Sequence, residues 1–294
     1  MKIIDKIRAK GKPFYSLEFF PPKDQAQWPE FFQIAERLKA MDPLFASVTC
    51  GAGGSTQSFT LEIASRLKKD LDLEPMPHLT CTGANQEGLT RALDNFAAAD
   101  IQNVLALRGD KPRDAADNWI SEDFRHASDL VTFIGKYNSR GYQLGIGVAG
   151  YPAPHPESPT FRSDREHLAA KIEQGADFVV TQLFFDHREY FELVDYLQGR
   201  GITVPVIPGI LPIQSMASIK RTLSMCGANI PGALYLKLEE ANETGGTEAV
   251  RAAGLAFAVE QIKRLLEGGA PGIHLYTLNS ADLCLRIMNE TGKL

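Results

Sequence analysis

Eight short apolar runs punctuate this sequence, and nearly every gap between them has the spacing of an amphipathic helix. The runs cover 15–19, 44–49, 76–79, 103–107, 143–149, 178–182, 204–208 and 273–276. Strands that alternate with helices pair in parallel, because each helix carries the chain back to the same end of the sheet. Eight such units predict closure into a (β/α)8 barrel. An open doubly wound sheet is the alternative, but no G-x-G-x-x-G follows an early strand. The helix signals are local. Asn85 caps a stripe of Leu89, Leu93 and Phe96, and Asp186 with Glu189 has the spacing of a capping box before Tyr190, Leu193, Val194 and Leu197. Ser163 with Glu166 repeats that start signal before Leu168 and Ile172, with a stop at Gly175.

One interval breaks the rhythm. Between the seventh and eighth runs lie helical patterns at 231–242 and 247–266, with Thr244-Gly245-Gly246 as the turn between them. This predicts an extra helix before the last strand. No linker, low-complexity tract or second core interrupts 1–294, so the expectation is a single catalytic barrel domain, an α/β fold of TIM-barrel type.

Composition removes several classes of function. With 31 basic and 36 acidic residues the formal charge is −5, which gives a nucleic-acid backbone no attraction. No apolar run approaches the ~18 residues that span a bilayer. The first twelve residues are charged and lack a leader's apolar core, so a cytoplasmic protein is expected. Cys50, Cys81, Cys226 and Cys284 are scattered and include no C-x-x-C pair, which argues against a zinc ribbon or a disulfide framework.

In a barrel, chemistry sits at the C-terminal strand ends. Those ends read Glu18-Phe19-Phe20-Pro21-Pro22, Thr49-Cys50-Gly51-Ala52-Gly53-Gly54, His78-Leu79-Thr80, Leu107-Arg108-Gly109-Asp110, Ala149-Gly150-Tyr151-Pro152 with His155, Thr181-Gln182 and Tyr276-Thr277-Leu278-Asn279. Polar groups from nearly every strand thus converge on one rim. Glu18 lies among aromatics, where burial would raise a carboxyl pKa and make a general acid; a solvent-facing edge glutamate is the alternative. Asp110 is either a ligand-facing carboxylate or a turn residue, and Gly109 before it would let backbone approach a ligand closely. His78 and His155 lack partners at metal-ligand spacing and read as hydrogen-bonding histidines; no metal site is expected. His126, His187 and His274 read as ordinary helix or loop residues. Gly51–Gly54 lacks the Lys-Ser or Lys-Thr of a P-loop. Lys171 is either a solvated helix lysine or a partner for a ligand phosphate.

Taken in order, eight segments resemble the methylenetetrahydrofolate reductase family. They are Glu18-Phe19-Phe20-Pro21-Pro22, Ser47-Val48-Thr49, Pro77-His78-Leu79-Thr80-Cys81, Ala106-Leu107-Arg108-Gly109-Asp110, Tyr151-Pro152 with His155-Pro156-Glu157, Thr181-Gln182-Leu183-Phe184-Phe185-Asp186, Ile207-Pro208-Gly209-Ile210-Leu211-Pro212, and His274-Leu275-Tyr276-Thr277-Leu278-Asn279. The resemblance implies a (β/α)8 barrel that binds FAD, takes hydride from NADH or NADPH, and passes it to 5,10-methylenetetrahydrofolate to give 5-methyltetrahydrofolate for methionine synthesis. It implies that Glu18 is the proton donor to N10 and that Asp110 contacts both flavin and pterin. Gln182 would contact folate and nicotinamide in turn, so the kinetics would be ping-pong. Flavin contacts are implied at Thr49, Cys50, Ala52, His78, Arg108, Gly109, Asp110, Ala127, Tyr151, His155, Ser158, Asp164, His167 and Lys171. Arg108 and Lys171 would serve the pyrophosphate, with Asp164 and His167 toward the adenosine half.

The sequence also departs from the family pattern. His126 stands where an aromatic often precedes the flavin-contacting alanine, and Ala170 where a basic residue can support the phosphates. Ser218 and Ser280 replace a glutamine and an arginine near the folate, and no stacking aromatic is found around Thr222. The chain ends at Leu294, so the regulatory domain of longer eukaryotic members, with its S-adenosylmethionine inhibition, is not expected. The resemblance further implies a homo-oligomer. One alternative remains within the family: a flavin subunit of a folate-reducing complex that takes electrons from a partner protein or ferredoxin. A barrel lyase with a Schiff-base lysine or metal, or another flavin barrel such as a proline dehydrogenase, fits the strand ends less well.

Overall fold

A computed structural model of the chain describes residues 1–51, 57–110 and 121–294. Within them, strands and helices alternate as the spacing predicts. A first helix α1 (Ile3–Lys10) leads into β1 (Tyr15–Phe19), α2 (Trp28–Leu38), β2 (Ala46–Val48), α3 (Gln57–Leu71) and β3 (Pro75–Thr80). The chain continues through α4 (Gln86–Ala98), β4 (Asn103–Leu107), α5 (Ala127–Asn138), β5 (Gly145–Gly150), α6 (Phe161–Glu173), β6 (Phe178–Thr181) and α7 (His187–Gly199). It ends with β7 (Val206–Ile207), β8 (Gly209–Ile210), α8 (Met216–Cys226), α9 (Gly232–Glu267), β9 (Ile273–Tyr276) and α10 (Ala281–Thr291).

Every strand pair is parallel, in the order β7-β6-β5-β4-β3-β2-β1-β9-β8. The seventh run yields β7, and a further short strand, β8, follows just past its end. Pro208 has no N–H to give a ladder, so the run breaks there: β7 pairs with β6, while β8 pairs with β9. The two ends of the sheet are consecutive in sequence, and the chain itself closes the ring.

Side chains alternate across each strand, which sorts the apolar residues into two layers. Tyr15, Leu17, Phe19, Val48 and Leu79 pack outward with the helices in the largest core cluster. Phe14, Phe45, Met76, Leu105, Phe178, Val180 and Ile207 fill the ring's interior together with Ile3 and Ile4 of α1. Helix α1 thus plugs the N-terminal end of the barrel. Its Ile3 N–H donates to Asn103 Oδ1 at 2.7 Å, Asn103 Nδ2 donates to Glu74 Oε1 at 3.1 Å, and Lys6 Nζ lies 3.2 Å from Glu74 Oε2.

The insertion before the last strand is larger than expected, with α8 preceding the two predicted helical segments. Those two meet at Gly246, whose φ of 63° and ψ of −153° interrupt α9 where the Gly-Gly turn was read. Helix starts are also adjusted. Asn85 caps α4 through Gly88 N–H at 2.8 Å, as read. The cap of α6 lies three residues before the Ser163 signal: Thr160 Oγ1 accepts from Ser163 N–H at 3.1 Å, and Glu166 pairs instead with Arg162. Asp186 caps α7 by accepting from Arg188 N–H, while Glu189 does not complete the box. Among the described residues no helix is long and apolar enough to cross a membrane.

Candidate active site

Register fixes what meets inside the ring. Glu18 stands level with Ser47 on one side and Tyr276 on the other, and Ser16 stands level with His274. All face inward. Glu18 is 6% exposed and His274 0% exposed. Ser47 Oγ donates to Glu18 Oε2 at 3.3 Å. His78 Nε2 and His274 Nε2 lie 3.3 and 3.7 Å from the same oxygen, although the His78 contact is too poorly angled to count as a hydrogen bond. Tyr276 OH donates to the Thr181 carbonyl at 2.8 Å across the ring.

Burial pushes the Glu18 carboxyl up, as the aromatic surroundings implied. The attraction of His274 and His78 to the carboxylate outweighs it and leaves the pKa at about 2. The expectation of a carboxyl raised by its surroundings is thereby corrected: the barrel holds a buried carboxylate between two imidazoles. His274, read from sequence as an ordinary residue, is part of this cluster, as are Ser16 and Ser47.

Around this centre the rim is assembled from loops. Asp110 follows β4 and is exposed; burial first, and then its charge, raises the half-buried Tyr151 and Cys226. Burial, then Asp110, pushes Tyr151 up to about 12, against a hydrogen bond with Gln182. Gln182 follows β6; its N–H donates to the Gly150 carbonyl at 2.7 Å. Tyr151 meets the His155 ring edge-on at 4.7 Å, and burial lowers the His155 pKa. Gly109 has a φ of 91°, and a Cβ there would meet Thr82 Oγ1 at 3.0 Å. The neighbouring strand end, rather than a ligand's approach, already demands glycine at this position.

Arg108 grips Glu157 as a fork at 2.7 and 2.9 Å, so the guanidinium expected at a pyrophosphate has a carboxylate partner. Helix α6 presents Asp164, His167 and Lys171 at helical spacing. Ser158 Oγ donates to Asp164 Oδ1 at 3.1 Å, and His167 is exposed. Lys171 Nζ donates to the Ala149 carbonyl at the end of β5 at 2.5 Å. Burial holds this ammonium down to about 8, against the pull of Asp164. A desolvated cation with N–H donors to spare beside a strand end fits an anionic group such as a dinucleotide's phosphates. Thr49 and Cys50 flank the same mouth after β2, and Ala127 opens α5. Ala52 lies outside the described residues. Among the departures, Ser218 serves the α8 cap by donating to the Ser215 carbonyl, and His126 stands at the start of α5, its N–H bonded to Asp129.

The signal for the missed residues was parity. Ser16 shares a strand face with Glu18, and His274 shares one with Tyr276.

Fold and rim together define a (β/α)8 barrel whose C-terminal mouth encloses a buried acid–base cluster. The family model described as methylenetetrahydrofolate reductase matches residues 2–292. The chain belongs to the methylenetetrahydrofolate reductase family. It is 39% identical to methylenetetrahydrofolate reductase (NADH) 1 of Arabidopsis thaliana over 99% of its own length and 51% of that protein's. It thus spans about half the length of that plant relative. With 5,10-methylenetetrahydrofolate reductase of Pectobacterium carotovorum subsp. carotovorum it shares 30% identity, covering 96% of this chain and 91% of the relative. Among solved structures, a protein from Clostridium thermocellum described as binding two copies of 5-methyl-5,6,7,8-tetrahydrofolic acid superposes with a TM-score of 0.65. Its identity is 15%, over 98% of this chain and 99% of that one. That likeness speaks to the fold.

Proposed function

We propose that this chain reduces 5,10-methylenetetrahydrofolate to 5-methyltetrahydrofolate, using bound FAD and NADH or NADPH. Family membership supports the reaction, and the observation that carries it to this chain is the Glu18 carboxylate buried at the barrel mouth. FAD, when bound, supplies a hydride carrier between the two substrates. Lys171 would hold its phosphates, with Arg108 released from or shared with Glu157, and Ser158, Asp164 and His167 would face the adenosine half. Glu18 delivers a proton to the substrate's N10, which turns that nitrogen into a leaving group and exposes an electrophilic carbon at N5. A carboxyl with so weak a hold on its proton is a strong donor once protonated. Asp110, exposed at the same mouth, places negative charge where that cationic carbon develops. The Gln182 amide serves folate and nicotinamide in turn, so the two substrates alternate in a ping-pong cycle.

The test is anaerobic. The purified protein should carry FAD, bleach with NADH or NADPH, and recover colour on adding 5,10-methylenetetrahydrofolate. Protein that stays colourless after incubation with excess FAD refutes the reading. Bleaching only with ferredoxin or a co-purified subunit replaces the nucleotide with a protein donor. Glu18→Gln should slow folate-linked recovery by roughly 10²–10⁴ and leave nucleotide-linked bleaching far less changed. Equal losses in both halves would take the proton-donor role away from Glu18.

A further inference from the structure

The hydrogen bonds behind Glu18 carry a direction. Ser16 Oγ lies 2.9 Å from His274 Nδ1 and also reaches the Ile273 carbonyl at 3.4 Å, to which it can only donate. When the hydroxyl gives its hydrogen to that carbonyl it accepts from the ring, an arrangement that keeps a hydrogen on Nδ1. The exchangeable proton is then on Nε2. That nitrogen faces Ser47 Oγ at 3.4 Å and Glu18 Oε2 at 3.7 Å, and Ser47 Oγ donates onward to Glu18 Oε2 at 3.3 Å. The pieces form a chain from Nε2–H through the Ser47 hydroxyl to the carboxylate.

Register places this chain on the closed side of Glu18. His274 stands level with Ser16, one inward-facing position nearer the N-terminal end than Glu18, and α1 plugs the barrel below. The Phe45 ring stacks on the imidazole at 5.7 Å and 19°. Apart from Asn103 at the plugged end, bonded to Ile3 and Glu74, the interior residues of β4, β6 and β7 are apolar, among them Leu105, Val180 and Ile207. The titratable groups facing His274 are therefore Glu18, His78 from β3 and Tyr276 from its own strand. Tyr276 meets it edge-on at 5.6 Å with its hydroxyl committed to Thr181.

We infer that His274 is a positioning residue that stores, on Nε2, the proton Glu18 delivers, with Ser16 fixing the ring's tautomer and Ser47 bridging. The inference rests on reading Glu18 as the proton donor. On delivery Ser47 passes its hydrogen to Oε2 and takes one from Nε2, and the new Glu18 O–H breaks as an N–H forms on the substrate. Glu18 ends as the carboxylate it was, His274 ends neutral, and one positive charge has moved to the substrate. The reserve refills from solvent when the mouth is open. The acid is thus recharged from behind while a ligand covers its front.

Infrared difference spectra of the whole protein, with the Glu18 band assigned by Glu18→Gln, read this directly. The native protein should show Glu18 as carboxylate down to about pH 4, consistent with its low pKa. In His274→Gln the protonated-carboxyl band should appear at least about one pH unit higher, because burial persists and one opposing imidazole is gone. Ser16→Ala, which keeps the imidazole and removes its anchor, should move the band the same way by less. In the reaction, His274→Gln should slow folate-linked flavin reoxidation about tenfold and change nucleotide-linked reduction far less. An unmoved band in both variants overturns the proposal, as does folate-linked reoxidation that His274→Gln leaves at the native rate. If the native protein reduces no folate at all, the reaction reading fails and the proton-storage role fails with it, while moved infrared bands would still show that His274 holds Glu18 ionised.

Discussion

Glu18→Gln should rewrite the acid limb of this protein's stability. The carboxyl's pKa falls from 4.5 to about 2 on folding. At about 1.4 kcal/mol per pH unit that is about 3 kcal/mol favouring the folded state. Since the folded value lies below the unfolded one, this contribution is complete above about pH 5 and is lost as pH falls toward about 2. By about pH 3 roughly 2 kcal/mol of it should be gone. Glutamine fills the same space, keeps a carbonyl for Ser47, and cannot titrate. The measurement is urea denaturation of both proteins at about pH 7 and about pH 3, taking the stability difference between them at each. The native protein should lose about 2 kcal/mol more than the variant over that interval. A carboxyl raised by burial gives the opposite sign, with the native protein gaining on the variant as it picks up its proton. A difference that stays constant or moves that way would show that the two histidines do not hold Glu18 as a carboxylate.

Lys171→Met should weaken FAD binding about tenfold or more, measured by flavin fluorescence, through loss of a buried cation. Without ligand it should remove a rise in stability between about pH 8 and 10.5, where the unfolded chain binds the extra proton. Asp110→Asn should raise the flavin midpoint potential in a redox titration, leave nucleotide-linked reduction no slower, and slow transfer to folate; no change in any of these removes Asp110 from the mechanism. Gly246→Ala should cost about 1–3 kcal/mol in thermal or chemical denaturation, because its φ and ψ lie in a region open essentially to glycine alone. An unaltered midpoint would mean the two halves of α9 can join without that turn.

Much of the architecture was legible because strand and helix periods differ, and each run of β-period residues stood apart from its neighbours. Where tertiary context decides, the reading was poorer. Helix α1 reads only as a charged stretch without an apolar core until the barrel supplies a cavity for Ile3 and Ile4. The break at Pro208 follows from a missing N–H, but which flanking residue pairs with which neighbour depends on closure. At the site, strand ends pointed to Glu18, Asp110 and Gln182 because motif residues cluster there. His274 escaped because a histidine in an apolar run has no spacing to a partner in sequence; its partners Ser16 and Ser47 are 258 and 227 residues away. The Glu18 pKa escaped for the same reason. Its aromatic neighbours are visible in the sequence, and the imidazoles that outweigh them are not.

The seam at Pro208 gives the ring an uneven character. Elsewhere adjacent strands are joined by repeating backbone bonds, which most single substitutions leave intact. At the seam the chain runs from β7 to β8 through Pro208, and side chains of β6 and β9 brace it: Gly209 N–H donates to the Thr181 hydroxyl at 2.9 Å, and Tyr276 OH donates to the Thr181 carbonyl. Circularity here is therefore heritable in a different sense from the rest of the sheet. One codon at Thr181 or Tyr276 can loosen the hoop at that point while every other strand keeps its partners.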